Sequence, residues 1–175
     1  MPLRPAEVSD AAELTDVVVA QRRFLDPWEP VRPAEWFTVA GQHRILADGQ
    51  LAREQDRAHP FVITDAAGVI VGRLTINNVV RGAGQFASLG YWVAREHNGR
   101  GVATAAVAEA VAIGFTDLNL HRLEAGTLMH NTGSQKVLER NGFERYGLAP
   151  HLVLIAGRWQ DHVLYQRLNH DWVAS

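Results

Sequence analysis

The amino-acid sequence predicts an α+β domain built around a mixed sheet. Three observations carry that prediction. Up to about Arg57 the apolar residues recur at helical spacing, broken by prolines. From Phe61 to Val93 the chain reads as strands joined by tight turns. A glycine turn at Asn98–Thr104 then opens an apolar helix that leads into a further strand.

Taken in order, Asp10 with Glu13 three residues on predicts a capping-box start for a first helix, and Leu14, Val17, Val18 and Gln21 follow on one face. Pro27, Pro30 and Pro33 make Asp26–Pro33 a loop, because each proline lacks an N–H and turns the residue before it away from helix. A second helical region is expected from Ala34 to about Arg57, weakest at Gly41 and Gly49. Pro60 marks the change to strands: Phe61–Thr64, a turn at Asp65–Gly68, Val69–Val80, a turn at Arg81–Gly84, and Phe86–Val93. After the glycine turn, a helix from about Thr104 to Leu118 carries Val107, Val111, Phe115 and Leu118 as one stripe, and Ala105, Ala108 and Ala112 permit close packing. His121–Met129 reads as a strand, and Asn131–Asn141 as a short helix closed by Gly142. Phe143–Tyr146, Val153–Ala156 and His162–Leu168 are the remaining strand candidates. There is no repeat or linker, so residues 1–175 read as a single domain.

Composition excludes several classes. With 175 residues, 47% of them hydrophobic, the chain is too apolar to be disordered and long enough for a sizeable core. Its 17 basic and 19 acidic residues give a net charge of −2, with no overall field for nucleic acid or an anionic membrane. The absence of cysteine removes a disulfide scaffold, a thiol nucleophile and thiolate metal sites, and suits a cytoplasmic protein. Met1–Asp10 lacks the apolar core of a signal peptide, and no apolar run is long enough to span a membrane. No His-x-x-x-His or His-Glu-x-x-His spacing occurs, so no metal centre is expected.

The stretch that points to chemistry is Asn98-Gly-Arg-Gly-Val-Ala-Thr104. Small residues at Gly99, Gly101 and Ala103 let the backbone approach a ligand closely. The first N–H groups of the following helix have no intrahelical partners, and with the helix dipole they suit a pyrophosphate, to which Arg100 adds a charge-assisted contact. The alternative is a plain strand-to-helix turn with glycines for geometry. A Walker loop is excluded because no Gly-Lys-Ser/Thr follows. A dinucleotide fold using Gly99, Gly101, Thr104 and Glu124 wants parallel βαβ units, whereas these strands are hairpin-linked.

Asn98-Gly-Arg-Gly101-Val-Ala103 matches the pattern Gln/Arg-x-x-Gly-x-Gly/Ala, with Asn in the first place. Further motifs stand in order around it: Phe24–Pro30, Gly90-Tyr-Trp-Val93, Asn119–Glu124, Asn131–Phe143 and Gly157–His162. On these the sequence resembles the GNAT N-acetyltransferases over nearly its whole length, and among them the Rim-type enzymes that acetylate the N-terminal alanine of ribosomal proteins. The resemblance implies a three-layer arrangement, a mostly antiparallel sheet with helices on both sides. It also implies a V-shaped splay between the strand ending Tyr91-Trp92-Val93 and its parallel neighbour His121–Met129. It implies direct transfer from acetyl-CoA to a primary amine, with the N-terminal alanine of a ribosomal protein as acceptor. A small-molecule amine, or a non-catalytic acyl-CoA-binding domain, are the alternatives. A homodimer is implied by frequent dimers among relatives.

The resemblance also distributes roles. Backbone groups at Trp92 and Val93 would hold the pantetheine arm, with the Val93 N–H facing the oxyanion. Asn98, Gly99, Arg100, Gly101, Val102, Ala103 and Thr104 would hold the diphosphate. The side chains of Tyr91 and Trp92 read as ordinary strand packing. Asn131 is expected both to cap its helix and to contact pantetheine. Ser134 shares a face with Val137 and Leu138 and would protonate the leaving thiolate; alternatively, or as well, it satisfies first-turn backbone groups. A carboxylate thought to serve as base in some Rim-type enzymes is replaced here by Val153, which leaves Glu29 as the candidate carboxylate or as a solvated loop residue. A strong base is dispensable for an α-amine, whose pKa of about 7.7–8.0 lies well below the 10.4 or so of lysine. Phe24 and Trp28 read as an acceptor lid or as packing of the helical cap on the sheet.

Overall fold

Side chains alternate across a strand, so a strand apolar at every position must be covered on both faces. The run Phe61-Val62-Ile63 is such a case, buried at all three positions. The computed structural model describes residues 2–174. Its strands are β1 (Leu3–Pro5), β2 (His59–Thr64), β3 (Ile70–Val80), β4 (Phe86–Val93), β5 (Arg122–Leu128), β6 (Glu144–Ile155) and β7 (Arg158–Leu168). They form one sheet in the order β1-β2-β3-β4-β5-β7-β6. On β2, Val62 points into a cluster with Leu14, Val18 and Leu46, under helices α1 (Ala11–Leu25) and α2 (Val39–Glu54). Its neighbours Phe61 and Ile63 point the other way, into the larger cluster with Ala106, Val107 and Ala110 of α3 (Val102–Ala112) and Leu138 of α4 (Thr132–Arg140). The small residues Ala106 and Ala110 are fully buried, which lets α3 lie close on the sheet.

One pair of neighbours is parallel. β4 and β5 pair only at Phe86, Ala87 and Ser88 with Arg122, Leu123 and Glu124. Beyond that they separate, while β4 stays on β3 as far as Val93 and β5 stays on β7 as far as Leu128. The splay between β4 and β5 is therefore a gap in an otherwise continuous sheet.

Several boundaries differ from the sequence reading, each for a physical reason. Asp10 does not cap α1 with Glu13. It ends a 3-10 turn, accepts the Glu7 N–H at 2.8 Å and pairs with Arg4 at 2.7 Å, while Glu13 accepts the Ile70 N–H at 2.6 Å and ties α1 to β3. The second helical region breaks at Thr38, whose hydroxyl accepts the Gly41 N–H at 3.1 Å and starts α2 after a 3-10 turn at Ala34–Phe37. α3 begins at Val102 rather than Thr104 and widens into a π turn at Ile113–Asp117. The separate candidates at Phe143–Tyr146 and Val153–Ala156 are one long edge strand, β6, whose register shift between Ala149 and Val153 absorbs Pro150. Strand β1 is too short to show a period. No helix among the described residues is long and apolar enough to cross a membrane.

Candidate active site

The glycine turn sits where β4 hands over to α3. Gly99 and Gly101 have φ of 72° and 81°, the left-handed region that side chains resist. A Cβ at either would meet nothing within 4 Å, so their absence of side chain serves the backbone conformation and leaves open space in front of it. Gly101 offers no capping side chain, and the first N–H to close onto it is that of Ala105, at 2.9 Å. The N–H groups of Val102, Ala103 and Thr104 thus lack intrahelical acceptors. Asn98 to Gly101 are exposed, and Val102 to Thr104 half-buried. The turn is held from α1: the buried Gln21 donates through Nε2 to Glu96 at 3.0 Å and accepts the Arg95 N–H at 3.0 Å.

The gap beside the turn has free backbone. Ala94 donates to the Val71 carbonyl at 2.7 Å, and Trp92 stands opposite Arg73. Bonded and non-bonded pairs alternate in an antiparallel ladder. Trp92 therefore spends its N–H and C=O on β3, whereas Tyr91 and Val93 turn theirs toward the gap. Of the two backbone positions expected there, Val93 faces the gap and Trp92 does not; Tyr91 takes its place. The indole of Trp92 packs against the α1–α2 cluster. The Tyr91 side chain does more than pack: its Oη lies 2.8 Å from Ser134 Oγ and 3.3 Å from the Ser134 carbonyl. Burial pushes the Tyr91 hydroxyl up to about 12, against a smaller downward pull from Ser134.

Ser134 reaches this point because Asn131 caps α4, its Oδ1 accepting the Ser134 N–H at 3.0 Å. Asn141 donates to the Thr104 carbonyl at 3.1 Å and fixes the end of α4 to the head of α3. A cleft of about 640 Å³ results. Trp92, Val93, Asn98, Gly99, Gly101, Val102, Ala103, Thr104, Asn131 and Ser134 all line it, as do Phe24 and Trp28. Arg100 is exposed on the turn and does not line it. Neither does Glu29. Its carboxylate pairs with Arg32 at 3.2 Å and borders a separate small cavity behind Leu25 and Trp92. Its carbonyl accepts the Ala156 N–H at 3.0 Å, which latches the β6–β7 turn onto the proline loop. Of the two candidate catalytic side chains, the structure brings Ser134 alone to the cleft.

The cleft also holds side chains that the sequence reading missed. Lys136 and Arg140 line it from successive turns of α4, a spacing that puts them on one face and was visible in the sequence. His130 stacks on Trp28 with ring centroids 5.4 Å apart, bridging α1's end and the β5–α4 link. No aspartate or glutamate occurs among the described residues that line the cleft. Among the described residues no group of three or more histidine or acidic side chains converges as a metal site.

Comparison with known proteins gives the same picture. Residues 1–144 match the family described as acetyltransferase (GNAT) domain. The Bacillus subtilis protein named Probable N-acetyltransferase YjcK is 36% identical over 170 residues, covering 97% of this chain and 94% of its own. The ribosomal protein uS5-alanine N-acetyltransferase of Escherichia coli is 34% identical, covering 93% of this chain and 84% of its own. The crystal structure of the ribosomal-protein-S5-alanine acetyltransferase from Vibrio fischeri superposes with a TM-score of 0.94 at 31% identity, over 98% of this chain and 94% of that one. Mycobacterium smegmatis RimJ, solved in complex with CoA-disulfide, gives 0.91 at 37% identity, over 99% and 84%. Matches of this length and identity carry more than a shared fold, and on them this chain belongs to the GNAT family and is an N-acetyltransferase.

Proposed function

We propose that the protein transfers the acetyl group of acetyl-CoA to the N-terminal α-amine of a protein beginning with alanine, a ribosomal protein being the acceptor class. The observation that carries the reading is the open head of α3. Left-handed Gly99 and Gly101 aim unpartnered N–H groups at a cleft that runs into the β4–β5 gap and ends at Ser134. These residues fit coenzyme A: amides and helix dipole for the diphosphate, the Lys136 and Arg140 cations beside it, and free backbone of Tyr91 and Val93 for an amide-bearing arm laid like an added strand. What acetyl-CoA supplies is an activated acetyl thioester.

The chain's own residues do the rest. With acetyl-CoA bound, the Val93 N–H would donate to the thioester oxygen, and the Ser134 hydroxyl would give its proton to sulfur as the C–S bond breaks and the C–N bond forms. The amine nitrogen releases one proton to solvent, and Ser134 is reprotonated from solvent. Among the described residues no aspartate or glutamate lines the cleft. That arrangement suits an amine already about half neutral near pH 8 and disfavours a polyamine, which needs anionic partners. The ribosomal acceptor is supported by full-length relatives that carry it in their names. Glu29 has no direct part in this reading, given its pairing with Arg32.

Isotope-labelled acetyl-CoA added with the protein to a cell extract tests it. Label on the N-terminal alanine of a ribosomal protein is the expected mass-spectrometric result. Label on lysines or on a metabolite overturns the acceptor. Binding of acetyl-CoA with no label transferred overturns the enzymatic reading of the cleft.

A further inference from the structure

Tyr91 and Ser134 are 43 residues apart in sequence and meet at 2.8 Å, phenol against hydroxyl. A tyrosine hydroxyl has one proton to give. Two arrangements satisfy the geometry. In one, Tyr91 donates to Ser134 Oγ, and the serine proton is free to point into the cleft. In the other, Ser134 donates to Tyr91, whose proton goes to the Ser134 carbonyl at 3.3 Å; the serine proton is then consumed. These have opposite consequences for a serine that must protonate a leaving group.

We propose that Tyr91 is a positioning residue that donates to Ser134 Oγ and so orients the serine proton toward the departing sulfur. The inference rests on the acetyl-transfer reading above. For the phenol proton, Ser134 Oγ at 2.8 Å is a nearer acceptor than the Ser134 carbonyl at 3.3 Å, and a phenol is a stronger donor than an aliphatic hydroxyl. Tyr91 projects from the last turn-free stretch of β4 into the larger core cluster, which holds its ring fixed while Oη reaches the cleft. Burial keeps the phenol protonated across the working pH range, so it stays a donor. It supplies no net proton. The proton on sulfur comes from Ser134, the one lost by the amine goes to solvent, and Tyr91 ends as it began.

The test is thiol release from acetyl-CoA by the full chain carrying Tyr91→Phe, Ser134→Ala, or both. It is run with whichever amine the wild type takes, or with water where it takes none. Tyr91→Phe keeps the ring and its packing, so melting temperature and acetyl-CoA affinity should hold. We expect kcat to fall about tenfold with both KM values unchanged, the scale of one lost hydrogen bond. The double variant should be no slower than Ser134→Ala, because the tyrosine acts only through the serine. Unchanged or faster turnover in Tyr91→Phe overturns the proposal, as do losses that multiply in the double variant. Wild-type transfer to an amine other than an N-terminal alanine overturns the acceptor reading and leaves this one standing. No thiol release from the wild type with any acceptor overturns both.

Discussion

The two halves of the cleft are built in different ways. The part proposed for the coenzyme diphosphate is written almost entirely in Asn98–Thr104, one unbroken stretch whose glycines take left-handed conformations and whose helix follows at once. The half proposed for the acceptor is assembled from the end of α1, Trp28 of the proline loop and the link before α4, brought together by contacts such as Trp28 on His130. A site made of backbone amides is specified by conformation. A site made of side chains meeting across the fold is specified only once the fold exists.

That contrast can be broken most severely at Gly101. Gly101→Val puts a branched side chain at φ 81° and into the open space before the helix. Calorimetry should show acetyl-CoA affinity lowered by about 100-fold, from strain of about 1–3 kcal/mol together with lost approach to the amides. Wild-type affinity would mean that the coenzyme is held elsewhere. The acceptor half should answer differently. Trp28→Ala removes one partner of the stacked pair, and KM for an N-terminal alanine peptide should rise about tenfold with coenzyme affinity unchanged. A matching loss of coenzyme affinity would show that the halves are not separable. The smallest effect is expected at Glu29. Glu29→Gln retains the backbone latch to Ala156 and loses only the ion pair with Arg32, so kcat should stay within about twofold. A drop of about 100-fold, the scale of general base catalysis, would restore it as the base.

The same contrast explains what the sequence made legible. Hairpin strands from Phe61 to Val93 and the cap at Asn131 were readable because alternation and capping are local rules. Asp10 and Glu13 were misread because each found a partner outside the helix, Arg4 and the Ile70 N–H. β6 was cut into pieces because its edge position leaves most of it exposed, without the apolar alternation of a covered strand. At the site, the open amides at the head of α3 were legible and Ser134 was located through its helix. Tyr91 was not, because strand packing and a directed hydroxyl look alike until the partner is placed.

Gln21 gives these two halves a common mounting. Its single amide grips the segment that precedes the glycine turn, and its helix carries Phe24 and, just past its end, Trp28. The proposed donor and acceptor seats are therefore surveyed from one benchmark, α1, and a displacement of that helix is passed to both.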